Sequence, residues 1–369
     1  MRTSHRTIRK LIREEQSKIT DEQLFSSQQF SAYMTDIVET ATKRYRRRSK
    51  VKMHWDPFSN SDVAHTDNRL IHINAANFLT RSFPTRSLQA DSIIGLAGHE
   101  AGHILFTDFT MLQIHMQALE AGSFYPAEPG NLTMLQSLSL QQIKNYFEEK
   151  DEAVIQAIRL VTHSLVNTME DLYIEARMMD AFPGSFKTGI LLNNLRFSED
   201  IPSVTDEIAE GHHEVFIIIN LLIQYAKSGD LNNADGYKGK YLDTLYECIP
   251  FLDDAAYDED AKARYQAANQ MLVLLWPYMP SLIEQVREDL KNKTHHAAQA
   301  AEEQLATPPK TLSGTSKPVP SKTPYNHTPS SEDEERERLQ SALDYETGRI
   351  ALEKTDEISE GDSGGTSYD

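Results

Sequence analysis

The stretch that decides the reading is Ile93-Ile94-Gly95-Leu96-Ala97-Gly98-His99-Glu100-Ala101-Gly102-His103-Ile104-Leu105-Phe106. Apolar residues flank a short polar insert, and residues 92–106 are predicted to form a helix, with Ser87 or Asp91 near its start. Helical residues four apart share a face, so His99 and His103 turn their imidazoles the same way. Glu100 follows His99 directly. This is the H-E-x-x-H pattern, in which two histidines hold one metal ion and the glutamate beside the open position acts as a base toward water. Zinc suits imidazole and carboxylate ligands. A His-Glu-His cluster inside an apolar helix is costly to bury alone, and a bound cation would offset that cost.

Two histidines need a third protein ligand. Position 109 is Phe, so the histidine that metzincins carry six residues beyond the motif is missing. The best source is Asn167-Thr168-Met169-Glu170-Asp171-Leu172-Tyr173-Ile174-Glu175, where acidic residues sit in an otherwise apolar helix. Glu170 is the first choice, with Asn167 and His163 on its face. Asp171 and Glu175, four apart, are the alternatives, as a ligand or as the group that holds a ligand imidazole in its tautomer. Candidate donors to a developing oxyanion are His163, Tyr173, Arg177, His212 and His213.

Working outward, residues 21–48 read as a helix capped by Asp21, with Phe30, Met34, Ile37, Val38, Ala41 and Tyr45 along one stripe. Residues 51–55 and 69–74 alternate as strands do. Ile71 and Ile73 fall on one face, His72 and Asn74 on the other. Beyond the motif the chain stays helical. A long helix is expected over 137–180, ended by Pro183-Gly184, and further helices near 206–228, 238–248, 258–276 and 280–304. The fold class expected is mainly α (α+β): a small N-terminal antiparallel sheet, the motif helix, then helices.

The organisation follows composition. Residues 1–50 are an N-terminal helical segment and 51–304 the main domain. Residues 307–331 hold six of the fifteen prolines among many Ser and Thr, so 305–331 reads as a flexible linker. Residues 332–369 read as a charged helix and a disordered tail, which is what a piece of a longer protein would show. Residues 1–52 carry 13 Lys and Arg against 6 Asp and Glu, while the rest carries 24 against 49. The acidic body argues against nucleic-acid binding, and the basic run Lys43–Arg48 reads as a solvated helix end. A single cysteine, Cys248, excludes a disulfide framework. No apolar run approaches membrane-spanning length, and no secretion signal is visible, so the cytoplasm is the expected compartment. Neither a Gly-rich phosphate loop nor a G-x-S-x-G elbow occurs.

Together the strand pair, the G-H-E-A-G-H-I-L-F-T-D-F block and the distant N-x-x-E-D-x-x-I-E helix resemble the gluzincin type of zincin metallopeptidase. More narrowly, the chain is similar to the metallopeptidase half of bacterial and phage proteins that carry a C-terminal von Willebrand A domain. Those proteins resemble cobaltochelatase subunits and often work beside a MoxR-type AAA+ ATPase. The resemblance covers about residues 50–180. It implies a zincin-like domain, His99 and His103 as zinc ligands, Glu100 as general base, and an acid among Glu170, Asp171 and Glu175 as third ligand. It also implies that strand 69–74 is the sheet edge that receives an extended substrate by strand addition. The von Willebrand A domain, its D-x-S-x-S motif and the N-E-x-x-x-D spacing of thermolysin-type enzymes are absent from this sequence. The function expected is a zinc-dependent peptidase acting on a protein or peptide. The alternative is a non-catalytic metal-binding adaptor that recognises clients for such an ATPase.

Overall fold

The computed structural model describes residues 5–16, 18–43, 50–59, 62–66 and 70–305. The expected linker from 306 on, the charged helix and tail, and the basic run beyond Lys43 lie outside the described residues. The chain opens with helices α1 (His5–Gln16), α2 (Asp21–Phe25) and α3 (Gln28–Thr42). The single helix expected over 21–48 is broken where Ser27 turns extended and accepts the Phe30 amide as an N-cap. Met34 and Val38 of α3 are fully buried in the same core as the rest of the molecule.

Strands β1 (Lys50–His54), β2 (Ala64–Thr66) and β3 (Leu70–Asn74) form one sheet in the order β1-β3-β2. This corrects the expected antiparallel sheet: β3 pairs parallel with β1 and antiparallel with β2. It also moves β3 from the edge to the centre. Both its sides are hydrogen-bonded, which leaves it no free ladder for an incoming strand. Ile71 and Ile73 are buried as expected, while His72 faces outward and stacks on His65 across the β2 pairing, with ring centroids 4.8 Å apart. Asn74 is buried for another reason. Its amide donates to the Asp56 and Asp62 carbonyls at 2.7 and 2.9 Å and ties down the loop between β1 and β2.

After the short helix α4 (Phe78–Arg81) comes the motif helix α5 (Arg86–Phe106), which extends the expected 92–106 helix back to the earlier of its two expected starts, next to Ser87, where Thr85 caps it. It is enclosed, with Ser92–Gly102 buried without a break. Helices α6 (Phe109–Glu120), α7 (Met134–Glu149) and α8 (Glu152–Ala181) follow. The long helix expected over 137–180 is thus two, divided where Lys150 adopts a left-handed conformation and Asp151 caps α8. Helix α9 (Ser185–Asp200) was not anticipated from the sequence. It crosses α5 at a glycine pair. A Cβ on Gly95 would lie 2.3 Å from the Gly189 carbonyl carbon, and one on Gly189 would lie 2.4 Å from the Asp91 oxygen. Only two glycines let the backbones meet so closely.

Helices α10 (Val204–Glu210), α11 (Glu214–Ser228), α12 (Lys240–Ala255), α13 (Ala261–Leu275) and α14 (Pro280–Leu305) complete the helical body. Gly211 in the left-handed region separates α10 from α11 within the single helix expected over 206–228. The architecture is mainly helical with a small three-stranded mixed sheet. No helix among the described residues is long and apolar enough to cross a membrane.

Candidate metal centre

Helix α8 packs across α5, and each offers two polar residues one turn apart: His99 and His103 from α5, Asp171 and Glu175 from α8. All four are largely buried, with side-chain exposures of 6, 15, 3 and 5%. Their polar atoms converge. His99 Nε2 and His103 Nε2 are 3.2 Å apart, and Asp171 Oδ1 lies 3.6 Å from the first and 3.3 Å from the second. Tetrahedral ligands at zinc-like distances of about 2.0–2.1 Å are separated by about 3.3 Å, so this triangle has the size of one face of such a site.

The far sides of the imidazoles explain why these atoms face inward. His99 Nδ1 lies 2.9 Å from Glu175 Oε1, and a carboxylate only accepts, so Nδ1 carries a proton. Neutral His99 then turns a lone pair on Nε2 toward the triangle. His103 Nδ1 lies 2.9 Å from the hydroxyl of Thr107, the residue that ends α5. With His99 neutral and His103 carrying its proton on Nδ1 toward Thr107, two imidazole lone pairs and a carboxylate oxygen meet in the triangle. The buried His99–His103–Asp171 group can hold a metal ion.

Without an ion, a proton takes its place. Burial opposes charge on His99, but Asp171 and Glu175 outweigh it and hold the imidazole up at about 9. Burial and the neighbouring His99 cation push His103 down to about 4. Burial works to raise Glu175, yet Lys227 and His99 outweigh it and keep the carboxyl at about 2. The metal-free pair is thus an imidazolium donating to an imidazole.

Glu100 is buried beside the pair, and its charge acts on both imidazoles. Glu170 is not brought into the triangle. Its Oε1 accepts from Arg264 Nε at 2.8 Å, and its Oε2 is buried without a hydrogen-bond partner. Its charge still reaches His103, so Glu170 flanks the group while its neighbour Asp171 completes it. Consecutive helical residues point about 100° apart, and α8 turns Asp171 and Glu175 to α5 but Glu170 to α13. Tyr173 lies on that second side, with the Arg264 guanidinium 4.0 Å from its ring centroid, and Arg177 pairs with Glu259. His163 Nε2 meets the Asn167 amide at 3.3 Å, two turns before Asp171 on the same helix. His212 lies against Glu207 and Glu210, and His213 against Ser281 and Gln285. These ring contacts, hydrogen bonds and ion pairs join the five oxyanion candidates to partners outside the triangle.

Two residues that the sequence reading missed complete the surroundings. Lys227, in the last turn of α11, donates to Glu175 Oε1 at 2.9 Å, with its Nζ 3.8 Å from Asp171 Oδ2. Asn194 of α9 donates to Glu175 Oε2 at 2.6 Å. The available signal was a single lysine closing the run Val215–Ala226, in which only Asn220 and Gln224 interrupt the apolar residues and Tyr225. In their ionised forms, Glu100, Asp171 and Glu175 set three negative charges against the ammonium of Lys227. Two remain uncompensated among these four groups, which matches the charge of a divalent cation. No family model matches the chain, and neither a curated protein nor a solved structure is found similar to it.

Proposed function

We propose that the protein is a zinc-dependent peptidase of the gluzincin type, in which His99, His103 and Asp171 hold the ion and Glu100 is the general base. The observation that carries this reading is the triangle of lone pairs with a buried glutamate next to it on the same helix. Zinc held by these three residues would supply Lewis acidity and lower the pKa of a water toward ~7. Glu100 would accept a proton from the attacking water on its carboxylate and return it to the departing amine nitrogen. Glu175 keeps the His99 Nδ1 proton in place, so that Nε2 stays a ligand. Thr107 orients His103. A protein or peptide is the substrate class, and the mainly helical body with its small sheet is read as a zincin-like domain.

One observation favours a second reading. Glu100 and Asp171 are 5% and 2% exposed, and closed metal groups are more often structural than catalytic. On that reading the chain is a metal-binding adaptor that recognises clients, working with a MoxR-type AAA+ ATPase. Glu100→Gln separates the two. The peptidase reading expects metal retained and peptide hydrolysis lost by at least ~100-fold. The adaptor reading expects metal retained, no hydrolysis in either protein, and unchanged client binding.

A further inference from the structure

Lys227 is a residue of unusual cost. Its side chain is 3% exposed, at the end of an apolar helix, and burying an ammonium demands a reason. Its contacts supply one. Nζ donates to Glu175 Oε1 at 2.9 Å, the same oxygen that meets His99 Nδ1, and lies 3.8 Å from Asp171 Oδ2. The other Asp171 oxygen, Oδ1, is the one facing both imidazoles. One ammonium therefore donates to the carboxylate that orients one candidate ligand and lies at ion-pair distance from the second oxygen of another.

We propose that Lys227 is a positioning residue of the metal group. It holds Asp171 so that a single oxygen is offered to the ion, and it locks Glu175 against His99. This rests on the reading that His99, His103 and Asp171 bind a metal, and it adds a consequence that reading lacks. A lysine that merely balanced charge would weaken cation binding by repulsion, so its removal would tighten the site. A lysine that positions the ligands has the opposite sign: its removal loosens the site, as loss of groups that orient metal ligands does by ~10–100-fold. Freed from Nζ, the second Asp171 oxygen can turn toward the ion and raise its coordination number.

The test uses the full chain loaded with cobalt(II), whose visible absorption is strong when four-coordinate and weak at higher coordination. Wild type, Lys227→Met, Lys227→Arg and His99→Ala are compared for spectrum and for cobalt affinity by chelator competition at pH 7. Lys227→Gln, which keeps a donor for Glu175, replaces Lys227→Met if that variant does not fold. The proposal expects ~10–100-fold weaker binding and a fainter spectrum without the lysine, partial recovery with arginine, and no binding in His99→Ala. Equal or tighter binding with an unchanged spectrum overturns the role of Lys227 while leaving the metal group standing. Undiminished binding in His99→Ala overturns the metal group itself, and the proposal with it.

Discussion

Glu175 on α8 meets His99 on α5 across 2.9 Å, 76 positions later in the chain. The contact decides which imidazole nitrogen carries the proton, and so which lone pair is available to an ion. Glu175→Gln keeps the length and an accepting oxygen but drops the charge opposite His99. The expected result is a ~10–100-fold loss of zinc affinity with the fold retained, read by chelator competition beside circular dichroism. Unchanged affinity would show that the contact does not orient a ligand.

Metal uptake is expected to be coupled to protons. In the metal-free protein His99 keeps its proton to about 9, above the ordinary 6.5. The cation must displace that proton, so at pH 7 about one proton is released per ion bound, and affinity rises ~tenfold per pH unit until about pH 9. The same shift sets a stability trend. A raised histidine pKa stabilises the metal-free fold fully below 6.5, and that contribution disappears as pH rises through about 9. Calorimetry in buffers of different ionisation enthalpy checks the proton count, and melting curves without metal check the trend. Zinc binding without proton release at pH 7 would contradict the assignment.

The glycine crossing links fold to site. Gly189→Ala would put a Cβ 2.4 Å from the Asp91 carbonyl and force α9 away from α5. Overpacking of this kind costs about 1–3 kcal/mol. The shift also carries Asn194 away from Glu175. A lowered melting temperature with weakened zinc binding is the expected outcome, whereas Gly184→Ala, with open space around it, should leave zinc binding unchanged.

How much of this was legible in the sequence depended on how local the determinant is. His99, Glu100 and His103 lie within five residues of one helix, so a helical period alone puts the imidazoles together. Residues 167–175 were legible as a buried acidic segment. The choice between Glu170 and Asp171 was not, because it depends on which side of α8 meets α5 and which meets Arg264 on α13. The four-residue spacing of Asp171 and Glu175 does mark the face of α8 that meets His99 on α5. The sheet was half legible. Ile71 and Ile73 gave the buried face, but β2 is three residues long, too short to show a period, and without it β3 reads as an edge. Helix α9 escaped because Asn193, Asn194 and Ser198 are buried, where polarity suggests a solvated side.

The central claim is that His99, His103 and Asp171 together hold one ion. Zinc per chain, measured on purified wild type, His103→Ala, Asp171→Ala and Glu170→Gln, tests it most directly. The account predicts about one zinc in wild type and in folded Glu170→Gln, and essentially none in His103→Ala and Asp171→Ala. Full zinc in Asp171→Ala, with loss in Glu170→Gln, would contradict the ligand set. Full zinc in His103→Ala would contradict the site altogether.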